Sequence, residues 1–177
     1  MTASLTPRKE EQLARALSQY DRLQTFFPRV ESRATFLLGT DVGLATLTIL
    51  NYHLDHQNVW LMLCGSACLL AFLVGMAFAF STFFTHLKGA AVSSLIYFGD
   101  VAALKPVDYF HKARAASMDD MLDDALCQVW RNSEILNQKF KRVKASFVAT
   151  AIAIPLWIAF LAISVAQTGT LPIFKAG

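Results

Sequence analysis

One carboxylate in this sequence lies where charge is rare, inside a long apolar run. Asp41 follows Arg33 by eight residues, and the sequence changes from charged to apolar at Ala34. A charged side chain in the hydrocarbon of a membrane costs at least about 2.5 kcal/mol unless it is paired, neutralised or facing water. Asp41 therefore needs a polar partner or a function.

Depth along a helix predicts the partners of this carboxylate. Asp41 lies about 12 Å beyond Arg33 along a helix axis, inside the hydrocarbon but short of its midplane. An antiparallel second helix brings Ser81 or Thr82 to this depth, and a third helix brings Thr150. Two interpretations stay open. Either Asp41 is hydrogen-bonded in a helix bundle and does nothing more, or one Asp41 per subunit lines an oligomer interface or a gate.

Metal and catalytic chemistry are not expected. His53, Asp55 and His56 share a short polar turn, which is typical of a solvated loop rather than a metal site. The aspartates between residues 119 and 124 form adjacent pairs that point around a helix, so they predict a solvated face. The sequence has no glycine-rich phosphate loop and no nucleophile or redox motif. We predict a protein that is not an enzyme, with no catalytic residues, no metal and no cofactor.

The elements that position these residues are membrane helices. The chain is 55% hydrophobic and 16% charged, which is too apolar for an ordinary cytosolic fold. Its net charge of +3 gives no reason to expect a nucleic acid partner. Three apolar runs are long enough to cross about 30 Å of hydrocarbon. They cover approximately residues 34–53, 59–85 and 145–166.

The basic residues predict the orientation. Residues 1–33 hold six Lys or Arg and residues 88–144 hold nine, whereas residues 34–87 hold none. Because basic segments next to spans stay cytoplasmic, we expect the N-terminus on the cytoplasmic side of the membrane and the C-terminus outside. The residues expected at the membrane interface, the basic ones contacting anionic headgroups, are Glu31, Arg33, Lys139, Lys141, Arg142 and Lys144.

The sequence therefore predicts an all-α integral membrane protein with three transmembrane helices. Its cytoplasmic region is formed by an N-terminal amphipathic helix and a long helix continuous with the third span. The expected segments are the amphipathic helix (1–30), a transmembrane hairpin (31–87), the connector and long helix (88–144), the third span (145–166) and an external tail (167–177). Lipid is the expected environment, and a homo-oligomer is the expected assembly.

Details of these helices follow from local signals. Thr6 is the expected cap of the first helix, and Pro28 is expected to kink or break it. A long helix is expected from Pro106, because no Gly or Pro follows between residues 107 and 154. Gly39 and Gly43 have a spacing that lets membrane helices approach closely.

An apolar seam is expected on the long helix, broken only by a serine, because residues four and three apart repeat along it. The N-terminal helix, or the same helix of a neighbouring subunit, is the expected partner. The seam comprises Leu122, Leu126, Val129, Ser133, Leu136, Phe140, Val143 and Phe147.

The connector after the second span reads as a loop or broken helix under the membrane. It contains the aromatic pair Tyr97 and Phe98 beside Asp100. An aromatic pair beside an acid predicts either a ligand cleft or a packed connector, and the residues alone leave both open.

Four sequence features resemble the Pycsar effector transmembrane family. They are Glu31–Gly39 opening the first span, Tyr97–Asp100 after the second, Tyr109, and the run Gln128–Lys144 with its Lys139-Phe140 pair leading into the last span. The resemblance covers approximately residues 15 to 165. Their order, and their placement relative to three spans, carry the resemblance.

The resemblance implies a role in antiphage defence by abortive infection. In this family, a pyrimidine cyclase makes cyclic CMP or cyclic UMP on infection, and the membrane effector impairs the inner membrane. The implied ligand site lies on the small cytoplasmic helical region, with an aromatic ring on the base and an Arg or Lys on the phosphate. Its expected residues are Tyr97, Asp100, Tyr109, Arg114 and Arg131. Two alternatives stay open: a constitutive scaffold or accessory subunit, and an ion channel with another trigger.

Overall fold

The computed structural model describes residues 8–52, 59–84 and 94–168. These residues are 90% helical and contain no strand, so the predicted all-α fold is confirmed. The described helices are α1 (Lys9–Leu50), α2 (Val59–Ser81), α3 (Phe98–Ala103), α4 (Pro106–Ala115) and α5 (Met118–Thr168). Thr6, the turn containing His53, Asp55 and His56, and most of the external tail lie outside the described residues.

Three of these helices are long and apolar enough to cross a membrane. They are α1, α2 and the Met118–Ala166 part of α5. The predicted class, an integral membrane protein with three spanning helices, is therefore confirmed. The chain divides into two compact units. One comprises Met1–Arg29 and His86–Gln138, and the other comprises Val30–Thr85 and Lys139–Gly177. We refer to them as the connector unit and the membrane unit.

Pro28 does not end the first helix, so the predicted break is wrong. α1 continues through Pro28 to Leu50. A proline inside a helix deprives the carbonyl four residues earlier of its donor. Here Pro28 and Gln24 are both exposed, so the carbonyl of Gln24 lies on the exposed face of α1.

The predicted start of the long helix at Pro106 is wrong, because α4 ends at Ala115 and α5 begins at Met118. From Met118 the helix does continue into the third span, as predicted. Ser117 and Asp120 form a capping box between them. The Asp120 carboxylate accepts hydrogen bonds from the Ser117 backbone N–H (2.9 Å) and from the Ser117 hydroxyl (2.6 Å). The Asp120 N–H donates to Ser117 Oγ at 3.2 Å. A serine cap with an acid three residues later starts a helix even without Gly or Pro.

In the membrane unit, α1 and α5 run parallel and α2 runs antiparallel to both. Cys68 of α2 lies against Ala153 of α5, and Cys64, one turn earlier in α2, lies against Leu156. Ala45, Cys68, Phe72 and Ala153 form the buried apolar core. Three successive spans joined end to end need this alternation of direction.

The buried face of α5 is partly polar, and several positions of the predicted apolar seam are not covered by another helix of this chain. The alternative partner, the same helix of a neighbouring subunit, stays a prediction. Leu126, Phe140 and Phe147 are 48%, 39% and 61% exposed. Lipid solvates apolar side chains, so Phe147 in the third span can face outward while polar and small residues there gain by turning inward. This reason does not extend to Leu126, which lies in the connector unit. The buried residues of α5 in this stretch are Ala125, Gln128, Leu136, Lys139, Val143, Ser146, Thr150 and Ala153.

The closely packed glycines are on α2 rather than α1. A Cβ on Gly65 would lie 2.6 Å from a ring carbon of Tyr52 and 3.0 Å from one of Phe160. For Gly39 and Gly43, no described atom beyond their own stretch of helix lies within 4 Å of a Cβ position. Among the described residues, the pair predicted to let helices approach closely therefore lies on an open face of α1.

Candidate functional site

Asp41 lies inside the bundle of its own chain. It is 0% exposed, and the Thr150 hydroxyl donates a hydrogen bond to its Oδ1 at 2.8 Å. This is the partner that the depth argument predicts from the third span. Within the part of the chain that the structure describes, Asp41 Oδ2 has no hydrogen-bond partner. A buried carboxylate with one unsatisfied oxygen is costly, so its site has to be shaped around it.

Gly75 provides that shape, although sequence reasoning did not select it. A Cβ on Gly75 would lie 2.5 Å from Asp41 Oδ2 and 3.4 Å from Thr150 Oγ1. The hydroxyl of Ser146, one turn before Thr150, donates to the Gly75 carbonyl at 2.9 Å. These four residues bring all three spans together around one carboxylate. We name Asp41, Gly75, Ser146 and Thr150 the polar cluster.

Ser81 and Thr82 are not part of this cluster. Their hydroxyls donate to the Phe78 carbonyl of their own helix, at 2.8 Å and 3.2 Å. Arg142 Nη1 donates to the Ser81 carbonyl at 2.5 Å. A helix end has carbonyls without intrahelical partners, and a cation satisfies one here at the end of α2.

The predicted interface residues divide into an inward and an outward group. Lys139 forms an ion pair with Glu31, and its side chain is only 7% exposed. Lys139 and Arg142 are therefore engaged within the membrane unit. Arg33, Lys141 and Lys144 are exposed. A count of charges in the sequence cannot make this division, because it depends on which face of each helix is buried.

In the connector unit, two carboxylates hold the segment that precedes α3. Asp124 Oδ2 accepts hydrogen bonds from the backbone N–H groups of Leu95 (2.8 Å) and Ile96 (3.2 Å). Asp100 Oδ2 accepts one from the Ser94 N–H at 2.8 Å. The sequence predicts that Asp124 belongs to a solvated acidic face. In the structure it instead accepts two backbone hydrogen bonds. It fixes the chain leading to Tyr97.

Tyr97 and Arg131 are brought together at the end of this fixed segment. The Arg131 guanidinium carbon lies 5.6 Å from the centre of the Tyr97 ring, a cation–π contact. The Phe98 ring centre lies 4.8 Å from that of Tyr97, and Phe98 is 70% exposed. A Cβ on Gly99 would lie 2.6 Å from the Tyr97 ring, so this position accommodates only glycine without a shift of the ring.

The other predicted ligand residues lie on α4. Tyr109 packs against Phe110, with ring centres 6.0 Å apart. Arg114 lines a depression of about 190 Å³ with Val107, Phe110 and His111. The predicted ligand residues thus fall into two groups, one around Tyr97 and Arg131 and one on α4.

Gln128 is a buried polar residue that sequence reasoning missed. It is 1% exposed, and neither its amide oxygen nor its amide nitrogen has a hydrogen-bond partner among the described residues. Its carbonyl accepts a hydrogen bond from Asn132 Nδ2 at 2.8 Å. The structure gives no reason for the burial of this amide. Gln128 lies three residues after Ala125 and four before Asn132, on the same face of α5. This helical spacing is the sequence signal that would have indicated its burial.

Three apolar helices with polar contacts on their inward faces define a multi-pass membrane protein. The family model of the Pycsar effector protein domain matches residues 15–166. Because this match covers most of the chain, the protein belongs to the Pycsar effector family, as the resemblance implies. Membership identifies it as an antiphage membrane effector. No curated protein and no solved structure matches the chain.

Proposed function

We propose that this effector binds cyclic CMP or cyclic UMP, rearranges as an oligomer and impairs the inner membrane. The observation that carries the proposal is the pair formed by Tyr97 and Arg131. A ring and a guanidinium are the groups that a cyclic pyrimidine nucleotide requires, one for the base and one for the phosphate.

The energetics favour exchange of the present contact for a ligand. A cation–π contact at a partly exposed site contributes about 0.5–1 kcal/mol. A hydrogen bond between a guanidinium and a phosphate contributes about 1.5–3 kcal/mol. Arg131 therefore gains by leaving the Tyr97 ring for a phosphate. The base then stacks on the freed face of Tyr97 or on the exposed Phe98.

Ligand binding acts on a helix that also enters the membrane. Arg131 belongs to α5, and so does Asp124, which holds Leu95 and Ile96. α5 is one helix from Met118 to Thr168 and carries Thr150, the partner of Asp41. The nucleotide shifts the conformation of α5 only if it binds more tightly to one arrangement of that helix than to another.

Membrane impairment in this proposal requires the polar cluster to open. Asp41 is buried against its own chain in the structure, so lining a gate or a subunit interface requires α1 and α5 to part at Thr150. Gly39 and Gly43 face open space on α1 and are available for contact with a second copy. We propose that Asp41 becomes accessible only in the activated oligomer.

The proposal includes a location and an orientation. The N-terminus lies in the cytoplasm and the C-terminus outside, in a bacterial inner membrane, since the basic residues then follow the positive-inside rule. The effector acts by binding and rearrangement rather than by catalysis. A constitutive scaffold would need no ligand, and an ion channel with another trigger would use Asp41 without Arg131.

Calorimetry on the purified protein with cyclic CMP and cyclic UMP tests the ligand. We expect Arg131→Gln to weaken binding roughly tenfold to a hundredfold, since it removes a charge-assisted hydrogen bond. Arg114→Gln reports whether the α4 group takes part, and Lys112→Gln is the matched control on an exposed cation of α4. No binding of either nucleotide contradicts the proposal.

Asp41→Asn tests the gate separately from the ligand. This change keeps the size of the side chain and removes its charge. We expect nucleotide binding to persist while membrane depolarisation changes. If toxicity and subunit number both stay as in the wild type, Asp41 has only a packing role.

A further inference from the structure

The membrane unit carries an apolar groove on its outer surface, between α1 and α5. Its volume is about 760 Å³. Phe36 and Phe147, on its two walls, are 73% and 61% exposed. These side chains lie on the outer surface of the membrane unit rather than in its interior. The apolar part of the lining is completed by Leu37, Phe140 and Val143.

One part of the same groove is positively charged. Arg33 and Lys144 line it, with Ser32 beside them. Both cations are exposed, and none of the residues that line the groove is an Asp or Glu. The nearby Lys139 is unavailable, because it is buried against Glu31. The groove therefore combines apolar walls with two exposed cations.

We propose that this groove is a binding site for an anionic phospholipid. An acyl chain lies along Phe36 and Phe147, and Arg33 and Lys144 hold the anionic headgroup. Charge complementarity supports this occupant, because each Lys or Arg at a membrane surface attracts anionic lipid. The proposal goes beyond the nucleotide response, since lipid binding requires neither a nucleotide nor the connector unit.

A second copy of the chain is a poorer occupant. A helix packed into the groove has to present a carboxylate to Arg33 or Lys144, or else leave two cations facing it in an apolar environment. The carboxylates nearest this depth are Glu31 and Asp41. Glu31 is paired with Lys139, and Asp41 is buried beside Thr150. A lipid brings its own negative charge and costs none of these contacts.

Native mass spectrometry of the full-length protein, with equal amounts of phosphatidylglycerol and phosphatidylcholine, tests the site. We expect the wild type to retain phosphatidylglycerol preferentially. Arg33→Gln and Lys144→Gln should each reduce that preference about fivefold, and both together about 25-fold. Lys112→Gln is the control, since Lys112 is an exposed cation of the connector unit that does not line this groove. It should keep the preference within about twofold of the wild type.

Phe36→Ala tests the apolar half. We expect retention of both lipids to fall while the preference for phosphatidylglycerol remains. Unchanged preference in Arg33→Gln and Lys144→Gln, or an equal loss in Lys112→Gln, would overturn the proposal. So would a Phe36→Ala protein whose subunit number falls while its lipid binding is unchanged, because the groove would then hold a second copy.

Discussion

Replacing Gly75 with alanine places a methyl group where the Asp41 carboxylate lies. The new Cβ would be 2.5 Å from Asp41 Oδ2 and 3.4 Å from Thr150 Oγ1. The carboxylate has little freedom to move away, since Thr150 holds its other oxygen at 2.8 Å. The substitution therefore forces α2 outward or breaks the hydrogen bond between Asp41 and Thr150.

The magnitude follows from two opposing effects. Overpacking a well-packed site costs about 1–3 kcal/mol. Alanine in place of glycine recovers about 0.5–1 kcal/mol of helix propensity. We expect Gly75→Ala to lose about 0.5–2 kcal/mol of stability. In a chain of this length, each kcal/mol lowers the melting temperature by about 2–4 °C.

The assay is thermal denaturation of the detergent-solubilised protein. Size-exclusion chromatography after each heating step measures how much folded protein remains. Gly43→Ala is the matched control, because no described atom beyond its own stretch of helix lies within 4 Å of its Cβ position. It should be neutral or slightly stabilising. In the double variant Asp41→Ala, Gly75→Ala the methyl group meets no carboxylate, so the two changes should couple by about 0.5–3 kcal/mol. Equal stability of Gly75→Ala and Gly43→Ala would refute the geometry of the polar cluster.

Three further predictions concern other parts of the chain. Breaking a fully buried ion pair costs roughly 3–5 kcal/mol of folding free energy. Lys139→Met should cost less, because its partner Glu31 is 42% exposed. Lys141→Met should be nearly neutral in the same thermal assay. Gly99→Ala should displace the Tyr97 ring and weaken nucleotide binding without changing helical content, measured by calorimetry and circular dichroism; unchanged affinity would place the ligand elsewhere. Hydrogen bonds from the Ser117 side chain and backbone lower the pKa of Asp120 from its ordinary 3.8. Stabilisation of the start of α5 is therefore complete above pH 3.8 and is lost as the pH falls through the lowered pKa. NMR chemical shifts of residues 117–121 should report this loss. In Asp120→Asn the pH dependence should be absent.

The depth of Asp41 was predictable from the sequence because a helix has a fixed rise per residue. That argument places Thr150 beside it, and the structure has this hydrogen bond at 2.8 Å. The prediction of Ser81 or Thr82 was wrong, because depth along α1 does not fix the register of α2. Gly75 is the residue of α2 beside Asp41, whereas Ser81, six residues later, accepts a hydrogen bond from Arg142, eight residues before Thr150.

The seam of α5 was not predictable with rules for helices in water. Those rules bury Phe147 in the third span, whereas a membrane rewards burial of polar groups such as Ser146. The break after Ala115 rests on a capping box, Ser117 with Asp120, that the absence of Gly and Pro concealed. The pairing of Tyr97 with Arg131 depends on Asp124, whose contacts with Leu95 and Ile96 are not apparent from local sequence.

Release of a trapped dye from liposomes containing the purified protein tests the central claim most directly. The account predicts release on addition of cyclic CMP or cyclic UMP and little release without it. Arg131→Gln should raise the nucleotide concentration needed for release roughly tenfold to a hundredfold, while Lys112→Gln should leave it unchanged. Release that is independent of nucleotide, or an unshifted response in Arg131→Gln, would contradict the account.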